Sequence, residues 1–167
     1  AHVYAELLPY QTSAEAIRKK NPIGIIFTGG PKSVYEEGAP VCDTEILKLG
    51  VPVLGICYGS QLLSMKLDGH VTSAPAGEYG KTDICYDTSN ILLQDMEAES
   101  VCWMSHMDYI DKAPDGFAIL AKTASCPVAA FGNDEKKIYG VQFHPEVFHS
   151  EDGTQMLKNF VVEVCGC

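Results

Sequence analysis

Long apolar runs are missing from this chain, and so is any cluster of basic residues. No apolar segment approaches the roughly 20 residues that a helix needs to cross a bilayer, and the first residues lack a charged-then-apolar leader. Lys and Arg number 12 against 22 Asp and Glu, which gives a formal net charge of -10. Because nucleic-acid binding requires a basic stripe, the sequence argues against nucleic-acid and membrane partners. It predicts a cytoplasmic protein.

Motifs for phosphate, metal or disulfide chemistry are also lacking. Neither G-x-G-x-x-G nor G-x-x-x-x-G-K-[ST] can be fitted to the sequence, and no H-x-x-x-H or C-x-x-C spacing suggests a metal. The seven cysteines are odd in number and irregularly spaced, which favours reduced thiols in a chain of this length. They are Cys42, Cys57, Cys85, Cys102, Cys126, Cys165 and Cys167. We therefore expect neither a nucleotide nor a metal in this chain.

The pattern that is present predicts one globular α/β domain over residues 1–167, with 46% hydrophobic and 20% charged residues,. Its first part alternates helices and apolar strands, which implies parallel pairing with right-handed crossovers. From Gly69 onward, short strand-like runs separated by turns indicate an antiparallel or mixed part, and an apolar stripe predicts a closing helix. The predicted elements of the first part are an edge strand 3–8, a helix 12–20, a strand 23–27, a helix 42–49 and a strand 51–56.

The segment Gly55-Ile-Cys57-Tyr-Gly59 follows the apolar strand directly and precedes a helical pattern. It has the form of the nucleophile elbow G-x-S-x-G, with cysteine in place of serine. The flanking glycines permit a sharp turn, and the helix N-terminus favours a thiolate at Cys57. The alternative is an inert core cysteine beside a tight turn. The pentapeptide alone does not decide between the two.

Two further segments offer chemistry. In His144-Pro145-Glu146 the residue before proline is driven to extended backbone, so that His144 and Glu146 point to the same side. This arrangement suits an imidazole base and the carboxylate that orients it, although a solvated strand end would look the same. The turn Thr28-Gly-Gly-Pro31 follows a strand and can present backbone N–H groups to a ligand, or can simply be a tight turn.

Taken together, these motifs resemble those of the class I, or triad, glutamine amidotransferase family. Its marks appear here in the family's order, as a Gly-Gly-Pro turn at 29–31, a cysteine elbow ending in glutamine at 55–61 and a Gln-Phe-His-Pro-Glu segment at 142–146. Within the family, the segments 103–108, 125–127 and 144–149 and the closing Cys-Gly-Cys are similar to the amidotransferase domain of GMP synthetases. The likeness extends over essentially the whole chain.

The resemblance implies a mostly parallel, doubly wound (flavodoxin-like) sheet with helices on both faces and a small antiparallel or mixed sheet. The resemblance also implies a first strand and helix that would precede Ala1 and that are missing from this sequence. The resemblance also implies that the chain hydrolyses the side-chain amide of glutamine, with Cys57 as nucleophile, His144 as acid and base and Glu146 as its orienter. The oxyanion donors would be the N–H groups of Gly30 and Tyr58.

By the same resemblance, four residues would hold the α-amino and carboxylate groups of glutamine, namely Gln61, Ser105, His106 and Met107. Of these, His106 is expected to contribute its backbone rather than its ring. Two positions depart from the family pattern, because Ser60 stands where methionine is common and Met107 where glycine is common. We expect Met107 to narrow the pocket.

The resemblance places ATP, Mg²⁺ and XMP on an ATP pyrophosphatase domain or subunit, fused or separate, since its Ser-Gly-Gly-x-Asp-Ser loop is absent here. No cofactor is expected in this chain itself. One alternative is the amidotransferase of another pathway, such as anthranilate or carbamoyl phosphate synthesis, which the segment 103–108 disfavours. Another is a catalytically silent regulatory module of the same fold, which the intact triad residues disfavour.

Overall fold

The N-terminal part of the structure, a computed structural model that describes residues 3–167, contains one short helix. Helix α1 spans Ala14–Lys20. It begins two residues later than the predicted start at Thr12, because the hydroxyl of Ser13 caps it by accepting a hydrogen bond from the N–H of Ala16, and it ends at Asn21 in the left-handed conformation,. The edge strand predicted at 3–8 is wrong, since residues 3–8 form no strand.

A single mixed sheet of seven strands organises the described chain, in the order β1-β2-β7-β6-β5-β3-β4. The α/β class predicted from the sequence is confirmed, and the antiparallel strands belong to the same sheet as the parallel ones. The strands are β1 (Ile25–Phe27), β2 (Val53–Ile56), β3 (His70–Tyr86), β4 (Glu99–Lys112), β5 (Ala118–Lys122), β6 (Ala130–Asn133) and β7 (Ile138–Val141).

The parallel part consists of β1, β2 and β7, which pair side by side with β2 in the middle. Every residue of β2 and of β7 is buried, as expected for strands covered on both faces,. Helix α2 (Tyr58–Lys66) starts directly after β2 and packs its buried residues against this part. The carboxyl ends of β2 and β7 therefore meet at one edge of the sheet, where a doubly wound fold binds its ligands.

The antiparallel part is dominated by a long hairpin of β3 and β4. The sequence predicted several short strands from Gly69 onward, but residues 70–86 form one long strand. Its register shifts between Ser73 and Glu78, where several residues of β3 oppose one residue of β4, and beyond the shift Glu78 lies directly opposite His106. Such an irregularity re-aims the side chains around it.

The remaining helices flank the sheet. The helix predicted at 42–49 is a 3₁₀ helix, Thr44–Lys48, capped by the carboxylate of Asp43. The closing helix α3 (Gly153–Lys158) continues as a π-helix, Asn159–Val164. Asn159 is buried there, and its amide donates to the carbonyls of Leu92 and Gln94. Within residues 3–167 no helix has the length and apolarity needed to cross a bilayer.

Candidate active site

Cys57 occupies a strained turn between β2 and α2, as the elbow pattern predicts. Its backbone has φ 53° and ψ -109°, a conformation that non-glycine residues rarely adopt,. The two flanking glycines have no side chain, so that neighbouring backbone can pack closely against this turn. A Cβ at Gly55 would lie 2.6 Å from the carbonyl oxygen of Gly59, and one at Gly59 would lie 2.3 Å from that of Phe27. Larger residues at either position would push the turn apart.

His144 follows β7, and its backbone is fixed on both sides. Its N–H donates to the carbonyl of Trp103 at 3.0 Å, and its carbonyl accepts from the hydroxyl of Ser150 at 2.6 Å. Ser150 in turn accepts from the N–H of Trp103 at 3.0 Å. The histidine is therefore held against β4 as well as against its own strand.

The side chains of Cys57, His144 and Glu146 come together as the sequence predicts. The Nδ1 atom of His144 lies 2.7 Å from Oε1 of Glu146, and the ring makes a second hydrogen bond with the Cys57 side chain. Gly29 leaves room for the ring, because a Cβ at that position would lie 3.3 Å from Cε1 of His144 and 3.6 Å from Cβ of Cys57. Two segments that are distant in sequence thus form one sulfur–imidazole–carboxylate chain.

The electrostatics of this chain favour a charged imidazole. The hydrogen bond with Cys57, and next that with Glu146, raise the pKa of His144 to about 10 against the opposing effect of burial,. Partial burial raises the pKa of Glu146, but the hydrogen bond with His144 and the other polar contacts outweigh it, so that this pKa lies below its usual value. The arrangement can therefore hold a proton on His144 beside the sulfur.

Two backbone N–H groups are available beside the sulfur. Gly30 and Tyr58 both line the pocket, and within residues 3–167 neither N–H donates to a protein acceptor. The position of a Cβ on Gly30 would be 3.6 Å from Cγ of Tyr58, so the two residues are neighbours. The phenol of Tyr58 points the other way and donates to the carbonyl of Pro40. Paired free donors beside a nucleophile are the arrangement that stabilises an oxyanion.

A cavity of about 640 Å³ opens over the sulfur. Cys57 is only 6% exposed, so the sulfur is reached through this cavity rather than from the open surface. All four residues assigned to substrate by resemblance line it. The predicted oxyanion residues, Gly30 and Tyr58, line it too, as do Cys57 and His144. The other lining residues are Pro31, Lys32, Ser33, Tyr35, Glu36, Ser73, Tyr79 and Asp108.

The two positions that depart from the family pattern lie in different places. Met107 is half-exposed and lines the cavity, and its narrowing of the pocket stays a prediction. Ser60 is fully buried on the inner side of α2, where its hydroxyl would be 3.0 Å from a Cβ at Gly140. That position affects helix packing and does not line the cavity.

The ring of His106 makes hydrogen bonds that hold the hairpin together, and it is not part of the Cys57–His144–Glu146 chain. Its Nδ1 lies 3.0 Å from the carbonyl oxygen of Asp108, and its Nε2 lies 3.1 Å from Oε2 of Glu78. The other oxygen of Glu78 accepts from the hydroxyls of Thr123 and Ser125 at 2.9 and 2.8 Å. The ring is thus engaged within the protein, and the expectation that the 105–107 segment offers its backbone to a ligand stays a prediction.

Sequence reasoning missed Glu78 and assigned no role to the side chain of Gln142. Glu78 belongs to no recognisable sequence motif, and only the register of β3 with β4 brings it to His106. The ligand atoms of Glu78, His106 and Cys126 lie within 4.8 Å of one another, which suits a metal by distance. The carboxylate and both ring nitrogens are already engaged in protein hydrogen bonds, so we assign this group to the support of the hairpin.

Comparison with known proteins agrees with this geometry. The family model described as "Glutamine amidotransferase class-I" matches residues 1–164. The chain belongs to the class I glutamine amidotransferase family. Among its amidotransferase relatives, the "GMP synthase [glutamine-hydrolyzing]" of Caldicellulosiruptor saccharolyticus is 57% identical over 99% of this chain and 32% of its own length. That of Acetivibrio thermocellus is 55% identical over 100% of this chain and 33% of its own length.

Solved structures place the chain on the same amidotransferase fold. A protein of Thermoplasma acidophilum described as one subunit of a GMP synthase superposes with a TM-score of 0.85 at 28% identity, covering 96% of this chain and 80% of that one. A glutamine amidotransferase of Thermotoga maritima superposes with a TM-score of 0.70 at 21% identity, covering 85% and 78%. The chain spans about a third of the length of the curated relatives that it matches.

Proposed function

We propose that this chain is the glutamine-hydrolysing domain of a GMP synthetase, and that it releases glutamate and ammonia. The observation that carries the proposal is the chain of hydrogen bonds from Cys57 through His144 to Glu146 at the floor of a cavity with two free N–H donors. A sulfur nucleophile, a proton carrier and an oxyanion site are the parts that amide hydrolysis requires.

In the proposed reaction the Cys57 thiolate attacks the amide carbon of glutamine and forms a C–S bond. The carbonyl oxygen takes the negative charge and accepts hydrogen bonds from the N–H groups of Gly30 and Tyr58. Protonated His144 gives its proton to the amide nitrogen, the C–N bond breaks and ammonia leaves. A γ-glutamyl thioester remains on Cys57.

The second half of the reaction returns the enzyme to its starting state. His144, now neutral, takes a proton from water, and the resulting hydroxide attacks the thioester carbon. The C–S bond breaks, glutamate leaves, and the proton on His144 again faces a thiolate. Glu146 keeps the ring in the orientation that both transfers need. Gln61 and the 105–107 segment would position the rest of the glutamine.

We further propose that the ammonia aminates XMP to GMP on an ATP pyrophosphatase domain or subunit, which would bind ATP and Mg²⁺. This rests on the GMP synthase names of relatives that are 57% and 55% identical but about three times as long. Residues 1–167 would then act as one amidotransferase domain without a cofactor of its own. The cytoplasmic location inferred from the composition stays a prediction.

The decisive experiment is treatment with a glutamine-mimicking electrophile, such as a diazo-ketone analogue, followed by peptide mass mapping. We expect one adduct on Cys57, protection by glutamine, and no adduct in Cys57→Ala. Glutamate release from glutamine should disappear in the same variant, and it is measured with and without an added ATP pyrophosphatase subunit. A Cys42→Ala variant is the matched control, because Cys42 is also 6% exposed but does not line the cavity. Undiminished glutamate release by Cys57→Ala would refute the proposal.

A further inference from the structure

The side chain of Gln142 lies against the reacting sulfur, on the strand end that also carries His144. It is fully buried, and its Nε2 is 3.7 Å from Sγ of Cys57. Its Oε1 is 3.0 Å from Nε2 of Gln61. The backbone of Gln142 is fixed as well, because its N–H donates to the carbonyl of Ala129 at 2.8 Å. A buried glutamine whose backbone and side-chain amide are both hydrogen-bonded has a fixed orientation and does more than fill volume in the core.

The orientation of this amide follows from a chemical constraint. The nitrogen and oxygen of a glutamine amide are assigned from the hydrogen-bond network around them. The carbonyl of Asp108 can only accept, so Gln61 must present its NH₂ group there, and the distance is 2.7 Å. The second hydrogen of the same nitrogen then points to Gln142, which must answer with its oxygen. The NH₂ group of Gln142 is left to face the sulfur.

The surroundings of the sulfur make this donor significant. The carbonyl oxygen of Ser105 lies 3.8 Å from Sγ and can accept from a thiol but cannot stabilise a thiolate. Two side chains can donate to the thiolate, namely His144 and the amide of Gln142. During the reaction His144 gives its proton away, whereas the amide of Gln142 keeps both of its hydrogens. Gln142 is thus the donor that stays in place throughout the cycle.

We infer that Gln142 is a further catalytic residue, which donates a hydrogen bond to the Cys57 thiolate and is oriented for this by Gln61. The inference rests on the proposed function for its place in glutamine hydrolysis. It also gives Gln61 a second role. Through its hydrogen bonds, Gln61 connects the Asp108 carbonyl at the wall of the cavity with the Gln142 amide beside the nucleophile. The same amide stabilises the sulfur again as it leaves the thioester carbon.

The test measures the reactivity of the sulfur without using glutamine. The rate of alkylation of Cys57 by iodoacetamide is followed by mass mapping from pH 5 to pH 10 in the wild type and in Gln142→Met, which has a similar size and no donor. A hydrogen bond to a charged group corresponds to about a tenfold change in an equilibrium. We expect alkylation at pH 7 to fall about tenfold and the midpoint of the pH–rate curve to rise. In Gln142→Glu, which places a carboxylate against the sulfur, both changes should be larger.

Other groups around the cavity also influence that curve, and all are unchanged in these variants. They are His144 and Glu146 after β7, His106 and Asp108 on β4, Lys32, Tyr35 and Glu36 after β1, Tyr79 on β3, and Tyr58 on α2. Gln155→Met is the matched control, because Gln155 donates to Asn159 in the closing helix and does not line the cavity. It should leave the curve of Cys57 unchanged.

The outcomes are distinct from those that test the proposed function. A folded Gln142→Met with the wild-type curve overturns the inference, while wild-type glutamate release still supports glutamine hydrolysis. If both Gln142 variants fail to fold, Gln61→Met provides the test, because it keeps the amide of Gln142 but removes the group that orients it. The curve should again move to higher pH, and an unchanged curve overturns the inference. In kinetics, Gln142→Met should lower kcat with little effect on KM.

Discussion

Two histidines that line the cavity show how the two parts of the sheet differ. His144, at the end of the parallel strand β7, has a pKa raised to about 10 by its hydrogen bonds with Cys57 and Glu146. His106, in the antiparallel hairpin, has a lowered pKa because burial outweighs the effect of Glu78. The parallel part thus presents a ring that holds a proton beside the nucleophile. In the hairpin, the ring of His106 instead helps to fix a wall of the cavity.

The largest expected difference is in turnover. Replacing His144 with asparagine removes the proton carrier, and kcat for glutamine should fall roughly 10²–10⁴-fold, the usual contribution of general acid–base catalysis. Replacing His106 with glutamine leaves the proton transfers intact and loosens the wall, so it should raise KM more than it lowers kcat. Steady-state glutamate release measures both. Equal losses of kcat in the two variants would mean that the two sides of the cavity do not have separate roles.

A second difference concerns how each part tolerates an added methyl group. A Cβ on Gly59 would lie 2.3 Å from the carbonyl oxygen of Phe27, where only backbone could yield. Gly59→Ala should therefore cost at least the upper end of the roughly 1–3 kcal/mol typical of overpacking. In the hairpin, Gly80 has φ +101° and no heavy atom within 4 Å of that position. Gly80→Ala should cost about 1–2 kcal/mol, from backbone strain alone.

Urea unfolding of both glycine variants provides the measurement. A smaller loss of the free energy of unfolding at Gly59 than at Gly80 would show that the elbow is less tightly packed than the contact with Phe27 implies. A loss at Gly59 that also abolishes alkylation of Cys57 would connect the packing of the turn to the reactivity of the sulfur.

The third prediction concerns the hairpin's own support. Glu78→Ala leaves the hydroxyls of Thr123 and Ser125 without their common acceptor and removes the contact of Glu78 with the His106 ring, which should cost about 1–3 kcal/mol and raise KM for glutamine,. Glu78→Gln keeps an oxygen for the hydroxyls and should lose less. The free energy of unfolding and KM are measured together, and they should change in the same order.

Glu99→Ala is the matched control for Glu78, because Glu99 is an exposed carboxylate on the same hairpin. It should change the free energy of unfolding by no more than about 0.5 kcal/mol. If Glu78→Ala were as mild as this control, the hydrogen bonds of Glu78 would contribute nothing to the wall of the cavity.

The parallel part was more readable from the sequence than the hairpin, for a physical reason. The elbow at Cys57 and the pair of His144 and Glu146 depend on neighbours within two residues, so that local backbone rules predict them. The partnership of Glu78 with His106 depends on the register of two long strands across a bulge, which no local pattern encodes,. The hydrogen bond from Gln142 to the sulfur likewise depends on a side-chain relay between distant segments.

The last prediction is a pair of opposite slopes in stability against pH. The pKa of His106 is lower in the folded protein than its usual 6.5, so the unfolded chain binds more protons as pH falls through 6.5, and stability is lost on the acid side. The pKa of His144 is higher in the folded protein, at about 10. Its contribution is complete below pH 6.5 and is lost as pH rises from there through 10.

Urea unfolding between pH 5 and pH 10 separates the two histidines. His106→Gln should flatten the decline between pH 6.5 and pH 5, and His144→Asn should flatten the decline above pH 6.5. The carboxylate of Glu146 has a lowered pKa, so its contribution is lost only as pH falls below about 4.5, outside this window,. A decline between pH 6.5 and pH 8 that survives in His144→Asn would show that the proton held beside Cys57 is not a property of the imidazole, and the contrast between the two histidines would fail. Above pH 8 the thiols of Cys102, Cys126 and Cys165, whose pKa values are also raised by burial, add a decline of their own,.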